Sequence, residues 1–513
     1  MRVLIFHGYL LRGTGSNVYN ASLARALVAL GHEVHLMCQD RHAGELEFVD
    51  AVGRWEGGSL RVETLRTPVR CTAYLPPIGE ILPVYVADAY DGFTARTFPE
   101  LSDAELSRYL ASNAGAVREV SERVRPDAAL ANHLIAGPAV LARGLAGRVP
   151  YAVKIHGSAL EYVVRPHRER FLSLAREGLA GAGGVLVGSR HTGESLWEVM
   201  DDPELPARTR LGPPGVDVHA FRPRPLAEAG ERLRALADRL EGSDAAGWGG
   251  ETGAAEALRA LDPEREPIVG YVGKLIVSKG VDLLLAAWPL VVAEVPGARL
   301  AIVGFGTYRD TLARLAAALG AGDLAAAREI AARGRELEGG PAGELTYLAA
   351  FLDGLEGEGR ERYLRAAAGA FGGLRFTGRL EHGDLPDVLP SFMAQIVPST
   401  FPESFGMVAV EAAACGALPL SASHSGLAEV TRTLEPAVGP GVAPLLSFER
   451  GPGAVEEIAR NLTAWLALPG AERERARAAL SDKARALYGW EGVAEGVIAA
   501  AQGRLDGLPE PRG

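Results

Sequence analysis

Two carboxylates, Glu403 and Glu411, stand eight positions apart in the run Pro398–Glu429, PSTFPESFGMVAVEAAACGALPLSASHSGLAE. Phe405, Met407, Val408, Ala409, Val410, Ala412, Ala413, Ala414 and Cys415 leave almost no polar face between and around them. The pattern predicts a short buried helix, with Pro402 ahead of it and Gly416 behind it as start and stop signals. A carboxylate inside such a helix costs several kcal/mol unless something pairs with it. Glu411 therefore needs a partner, either an arginine or the two hydroxyl donors of a sugar diol. Glu403 is expected just before the helix, where backbone N–H groups are unpaired and the macrodipole is positive. That position suits an electron-rich ligand, and it equally suits an ordinary acidic first turn.

A second stretch, Pro267–Leu285 (PIVGYVGKLIVSKGVDLLL), reads as a strand, a glycine-bearing loop and an apolar helix. Loop amides and a helix N-terminus aimed at one point form an anion-binding geometry. Lys154, Lys274, Lys279 and Lys483 are the chain's lysines, so two of them in one loop is a marked concentration. A compact ammonium suits a phosphate oxygen as a point charge. The alternative is a pair of solvated loop lysines worth little.

The elements that must position these groups come in two series. Apolar runs at 3–7, 33–37, 128–131, 152–155 and 185–187 alternate with helical patterns, and so do those at 268–272, 300–303, 374–377, 394–397 and 418–421. Such βα alternation predicts two doubly wound parallel sheets, an α/β fold, with ligands beyond the carboxyl ends of the strands. In the first series those ends carry the Gly8–Asn17 loop, with Gly13 and Gly15, and His156-Gly157. The loop fails as a dinucleotide fingerprint because Val18 holds the third glycine position. A tight turn accounts for Gly13 and Gly15 on the residues alone, and a capped core residue accounts for His156.

Several motifs in order resemble one family. PSTFPESFGMVAVEAAACG is similar to the glutamate-x7-glutamate motif of the family 4 retaining glycosyltransferases, which have the GT-B fold, and GKLIVSKG resembles their diphosphate loop, with Lys274 where arginine is more usual. Pro213–Phe221 resembles the segment entering the hinge, Phe376–Leu389 the segment framing the nucleotide base, and Ser425–Glu429 the glycine-bearing loop after the next strand. The resemblance implies two Rossmann-like domains facing across a cleft. It implies catalytic roles for Glu403, His156 and Lys279, and donor contacts from Lys274, Lys279, Glu403, Ser404, Phe405, Gly406, Glu411, Arg379, Leu380, Gly13 and Gly15. Glu403 would hold sugar hydroxyls, Glu411 the ribose, and the lysines the diphosphate. No Asp-x-Asp pair occurs (Asp88 and Asp91 are misspaced), so no metal and no cofactor beyond the nucleotide-diphosphate sugar are expected.

The expected organisation is an acceptor-side domain over 1–222, a linker with an insertion over 223–266, and a donor-binding domain over 267–483. A helical insertion is expected at about 308–373, and a helix at about 484–505 that packs back on the first domain. The run Gly242–Ala255 is low in complexity. The insertions would cover an acceptor, mediate self-association into a homo-oligomer, or simply elaborate the surface. His133 and the Arg165–Arg170 cluster are candidates to line the acceptor side, with Arg165, Arg168 and Arg170 facing a phosphate or anionic lipid headgroup or, alternatively, forming a plain solvated face.

Composition narrows the class. With 513 residues, 48% of them hydrophobic, and a formal net charge of −11, the chain reads as a multi-domain globular protein with no nucleic-acid partner. Cys38, Cys71 and Cys415 fit reduced thiols in a cytoplasm. No targeting segment and no span of about 20 uninterrupted apolar residues is recognisable. The expectation is a retaining, metal-independent hexosyltransferase, cytoplasmic or peripheral at the inner membrane face. It would move sugar from a nucleotide donor to a small-molecule, glycan or lipid-linked acceptor. A GT-B sugar-nucleotide epimerase and a non-catalytic sugar-nucleotide-binding or scaffold protein are the rivals.

Overall fold

A computed structural model describes residues 1–13, 15–86, 93–242 and 253–511. Asp88 and Asp91 lie outside the described residues, as does most of the run Gly242–Ala255. The chain forms two compact units, Met1–Gly215 together with Tyr488–Gly513, and Val216–Leu487.

The first unit is built on a nine-stranded sheet. Its strands are β1 (Arg2–Phe6), β2 (Glu33–Met37), β3 (Ala51–Glu56), β4 (Ser59–Thr64), β5 (Cys71–Leu75), β8 (Ala128–Asn132), β9 (Tyr151–Ile155), β10 (Ala182–Val187) and β11 (Thr209–Leu211), and a separate parallel pair is formed by β6 (Ile81–Val84) and β7 (Thr94–Thr97). The sheet order is β11-β10-β9-β8-β1-β2-β5-β3-β4. β1, β8 and β9 are nearly or wholly buried along their length, as strands covered on both faces must be.

The edge formed by β3, β4 and β5 adds to the expected strands. β3 and β4 pair antiparallel, joined by Gly57-Gly58, both at positive φ, which suits the tight hairpins whose twist matches the strands. Charged pairs on the hairpin, Arg54–Glu63 and Arg61–Glu56, lie on its exposed side, so apolar periodicity there is weak.

The second unit carries six parallel strands, β12 (Ile268–Val272), β13 (Arg299–Val303), β14 (Leu374–Gly378), β15 (Phe392–Val397), β16 (Leu418–Ala422) and β17 (Ser447–Phe448), in the order β14-β13-β12-β15-β16-β17. From β12 the chain winds outward through β13 to β14, then crosses back to lay β15 on the other side of β12. The strand order therefore reverses between β12 and β15, and the loops leaving those two strands diverge.

The observed divisions differ in detail from the expected ones. The first boundary falls at Gly215, not near 222. The return to the first unit falls at Tyr488, between the helices Gly470–Tyr488 and Trp490–Ala501. Trp490 stacks edge-on to Tyr19 at 5.5 Å. The helix Leu226–Gly242, in the segment expected as a linker, is tied into the second unit by Arg232 and Arg239, which bond Asp387 at 2.9 and 3.0 Å.

Between β13 and β14 run the helices Arg309–Gly320, Leu324–Arg333, Thr346–Asp353 and Gly357–Ala367. Arg309–Gly320, Thr346–Asp353 and Gly357–Ala367 dock on the helix Val281–Glu294, where the Tyr363 hydroxyl donates to the Ala286 carbonyl (2.9 Å), and Trp288 Nε1 donates to the carbonyl of Ala370, just beyond them (3.1 Å). The three cysteines are free and buried, and burial pushes the Cys38 thiol up to about 12. Among the described residues no helix is long and apolar enough to cross a membrane.

Candidate functional site

At the β12/β15 switch point the backbone leaves no spare room. Gly280 has φ +65, and a Cβ there would sit 2.1 Å from the Pro398 carbonyl oxygen. Thr400 N–H donates to the Ser278 carbonyl at 2.9 Å, so the two diverging loops are stitched together just beyond the strand ends. Across that stitch the Lys279 ammonium bonds the Glu403 carboxylate. The Ser399 hydroxyl donates to the same oxygen at 2.7 Å.

The backbone of Glu403 is held from the loop after β16. Its N–H donates to Ser425 Oγ (2.9 Å) and its carbonyl accepts from Gly426 N–H (2.9 Å). Gly426 is required, since a Cβ would meet Phe405 N and Cα at 2.7 Å. Burial pushes the Glu403 carboxyl up, but the Lys279 charge and hydrogen bond, Ser399 and His424 outweigh it, and the group lies below its ordinary range. It is an anion at neutral pH, a quarter exposed.

The helix is Met407–Ala414, capped by Gly406, so Glu403 lies in the preceding loop and owes its setting to Lys279 more than to the helix end. Ser404 and Phe405 are half-buried in that loop. Glu411 is buried as expected, but its partner is His382, whose Nε2 lies 2.7 Å from Oε1. His382 itself packs on Phe221 at 5.3 Å between ring centroids. Arg379 pairs with Glu381 at 2.9 Å and lies over the Phe305 ring at 5.1 Å. Leu380 is half-buried beside it. Lys274 is half-buried, and its carbonyl accepts from the Tyr271 hydroxyl at 2.8 Å. The loops after β12, β14, β15 and β16 thus carry Lys274, Lys279, Arg379, Leu380, Glu403 and Ser425 at one edge of one sheet.

The first unit gathers a different set at its strand ends. His156, after β9, bonds Asn132 Oδ1 through Nε2 at 2.7 Å. Asn132 Nδ2 donates to Asn20 Oδ1 (2.8 Å) and to the Phe6 carbonyl (3.2 Å). Asn20 Nδ2 in turn reaches His7 Nδ1 at 3.0 Å. His7 Nε2 faces the Leu10 carbonyl (2.9 Å) and Asn17 Oδ1 (3.0 Å). With acceptors on one side and an amide donor on the other, each bond fixes the next. His7 carries its proton on Nε2, and His156 donates from Nε2. The chain runs from His156 to the loop holding Gly13 and Gly15, whose φ values of +103 and +58 call for glycine.

Sequence reading singled out His156, Gly13 and Gly15 but missed His7, Asn20 and Asn132, each of which looks like a strand-end or helix residue until the sheet aligns them. His133 is buried, with neither ring nitrogen hydrogen-bonded. Arg165, Arg168 and Arg170 are bound to their own unit. Arg165 pairs with Glu161 and Glu198, Arg168 donates to the Val199 carbonyl, and Arg170 donates to the Pro99 carbonyl and pairs with Asp103. They hold helices and loops together while staying open to solvent, Arg168 exposed and Arg165 and Arg170 partly so.

This network predicts acid sensitivity. Burial lowers His7 to about 4, against the opposing pull of Asn17, Leu10 and Asp40. His156 lies well below its ordinary range through burial, reinforced by His133, Lys154 and His7. The unfolded chain therefore takes up these protons first. Stability is full above the ordinary histidine value of 6.5 and falls as pH drops toward 4, by about 3 kcal/mol for His7 alone. Asp282, in the second unit, is raised to about 7 by burial and titrates in the opposite sense, losing its contribution as pH rises. The readout is therefore a difference: the parent should lose more urea resistance than His7→Gln between about pH 7 and about pH 5. Equal losses would show that His7 is not held neutral.

Among the described residues no group of three or more His, Cys, Asp or Glu side chains is arranged to hold a metal ion.

Comparison with known proteins bears on the family and the fold. Residues 14–207 match the family described as glycosyl transferase 4-like domain, and residues 257–324 and 348–485 match glycosyl transferases group 1. The chain is 28% identical over 306 residues to D-inositol 3-phosphate glycosyltransferase of Segniliparus rotundus, covering 59% of this chain and 48% of that protein. It is 26% identical over 504 residues to the protein of the same name from Frankia alni, covering 94% of this chain and 93% of that one. Among solved structures, HepE of Anabaena in complex with UDP and glucose superposes with a TM-score of 0.56 at 15% identity, over 98% of this chain and 99% of the other. The match thus spans about half the length of the first relative and nearly all of the second. With two parallel-sheet α/β units, matched in order by the two family segments, the chain belongs to the family 4-like glycosyltransferases of GT-B fold.

Proposed function

We propose that the protein is a retaining glycosyltransferase that moves a hexose from a nucleoside diphosphate to an acceptor hydroxyl without a metal ion. The observation that carries this reading is the Lys279–Glu403 pair at the β12/β15 switch point, the crevice where open α/β sheets take their ligands. Departure of a nucleoside diphosphate develops negative charge, and fixed cations and amides stabilise it without reorganising. Lys279, with Lys274 in the same loop, supplies the cationic part. The diphosphate takes over the ammonium that Glu403 holds in the free protein, and Glu403 is released to accept hydroxyl protons of the sugar. Glu411, fixed by His382, accepts from the ribose, and Arg379 with Leu380 borders the base.

Retention is what the family resemblance implies, and with no side chain in this set placed as a covalent nucleophile, same-face displacement is the route by which such an enzyme would retain. The Anabaena neighbour's complex with UDP and glucose supports a nucleotide and hexose pair. The inositol phosphate transferases among the relatives make a phosphorylated polyol the first acceptor to try.

Thermal stabilisation by UDP, GDP and ADP, each with EDTA or with magnesium, tests the reading. A ligand at about 100 times its Kd adds nearly 3 kcal/mol. One nucleotide should dominate, equally with and without metal. A shift seen only with magnesium would remove the metal-independent part, and no shift with any of them would favour the scaffold or an unusual donor.

A further inference from the structure

The stretch between the two segments matched to the group 1 family, residues 325–347, reaches back to the loop that carries Lys274 and Lys279. The helix Leu324–Arg333 ends at Gly334, with φ +50 and a Cβ position only 1.8 Å from the Gly343 carbonyl oxygen. The chain therefore doubles back there, and the single turn Arg335–Glu338 follows. Glu338 Oε2 accepts the Val277 N–H at 2.7 Å, and its Oε1 meets Arg335 Nε at 3.2 Å. The Glu338 side chain is 8% exposed.

Val277 opens the turn Val277–Lys279, so its amide is an unpaired donor at the positive end of the turn that carries Lys279. Gly273, Leu275, Lys279 and Gly280 donate to the backbone carbonyls of Val303, Phe305, Ile276 and Val277. At Val277 a carboxylate from far along the chain performs that service. A charge-assisted bond of this kind is shorter and stronger than a neutral one. The buried N–H has much to lose if it is removed. The same loop is also gripped by Tyr308, whose N–H donates to the Leu275 carbonyl at 3.1 Å, and by Phe305. Both lie in the segment from which the insertion starts.

We propose that Glu338 is a positioning residue for the donor site: the insertion pins the Gly273–Gly280 loop through Val277 and so sets where Lys279 points. This deepens the reading of that loop as the diphosphate site and rests on it. The insertion then has a task beyond surface elaboration. It braces the loop at Val277, next to Ser278 and Lys279, through which the β15 loop holds it. A charged group displaced by about 1 Å loses on the order of a hundredfold in rate, so a slack loop should show in donor binding and in turnover.

Two measurements on the full chain test this. The first is amide hydrogen exchange of the peptide covering residues 273–280 in the parent, Glu338→Ala and Glu338→Gln. The second is the Kd of each for the nucleoside diphosphate that stabilises the parent best, with kcat and donor KM measured wherever turnover is found. Glu338→Ala should speed exchange in that peptide and weaken nucleotide binding, each by about tenfold or more, while exchange in the insertion's helices stays at the parent's level. Glu338→Gln, whose amide oxygen still accepts from Val277, should keep most of both. Unchanged loop exchange in Glu338→Ala would overturn the pin. Parent-like Kd and donor KM in that variant would overturn its bearing on the donor. A Gln variant as slack as the Ala variant would overturn the hydrogen bond as the cause. If the parent binds no nucleoside diphosphate, the donor reading itself falls, and the exchange arm still decides whether Glu338 holds the loop.

Discussion

Lys279→Ala should abolish measurable turnover, with kcat reduced by about a thousandfold or more. The ammonium is the cation that the structure ties to Glu403, at the point where the β12 and β15 loops separate. Its removal acts twice. The leaving diphosphate loses a fixed positive charge in a partly dry site, where such a charge is worth far more than in water. Glu403 also loses the partner that keeps its carboxyl low, and burial then favours the protonated form, which accepts sugar hydroxyls poorly. Lys279→Arg keeps the charge but spreads it over a planar fork that does not fit a compact pocket, so it should recover only a small part. The double variant Lys279→Ala with Glu403→Gln should be scarcely worse than Lys279→Ala alone, because the two groups act as a unit. Initial rates with the donor found by thermal shift supply the measurement. Near-parent turnover in Lys279→Ala would remove the proposed mechanism.

Gly280→Ala should be among the most damaging small substitutions in the second unit. Its φ of +65 already disfavours a side chain, at about 1–2 kcal/mol. The steric clash costs more, because the new methyl group would stand 2.1 Å from the Pro398 carbonyl oxygen and 3.0 Å from its carbon. Both of those atoms are backbone and cannot swing aside, so relief requires the β12 and β15 loops to part. Parting them stretches the Thr400-to-Ser278 bond and the Lys279–Glu403 pair together. A total of about 3–4 kcal/mol corresponds to a fall in Tm of about 5–7 °C for a unit of this size, with donor binding lost in parallel. Gly297→Ala is the control, since nothing lies within 4 Å of a Cβ there, and it should melt with the parent. Equal melting of the two variants would show that the loops have slack.

Much of this fold is legible in the sequence because parallel strands buried on both faces announce themselves. β12, β2 and β16 are short apolar runs closed by glycine or polar residues, and they emerge within a residue of where the runs lie. The hairpin β3–β4 and strand β5 are harder to read. Arg54, Glu56, Arg61 and Glu63 interrupt the apolar pattern of an edge, and the clearest signal is the Gly57-Gly58 turn. The site divides in the same way. Lys279, Glu403 and Glu411 stand out through their residue types against apolar neighbours. Their partners do not, because Ser399 and Ser425 are common residues in loops, and His382 meets Glu411 only when β14 and β15 lie on opposite sides of the β12–β13 pair. Glu338 is the extreme case. In a segment rich in Arg and Glu, nothing local distinguishes the carboxylate that reaches Val277 from those that face water.

The path of the chain also sets an order of assembly. The second unit is continuous from Val216 to Leu487, whereas the first draws part of its interior from Trp490, Ala494, Val497, Ile498, Ala500 and Ala501. Gly215 is moulded to the Trp490 ring, where a Cβ would lie 2.6 Å from a ring carbon, and the Leu211 amide waits for the Pro509 carbonyl. During synthesis the amino-terminal half therefore emerges first and closes last, its apolar face around Tyr19, Leu186 and Ala152 open until the final helix arrives. The usual amino-terminal-first sequence of domain maturation is inverted, and a chain released between Leu487 and Trp490 would carry a complete second unit tethered to an unfinished first one, whose open apolar face chaperones would recognise.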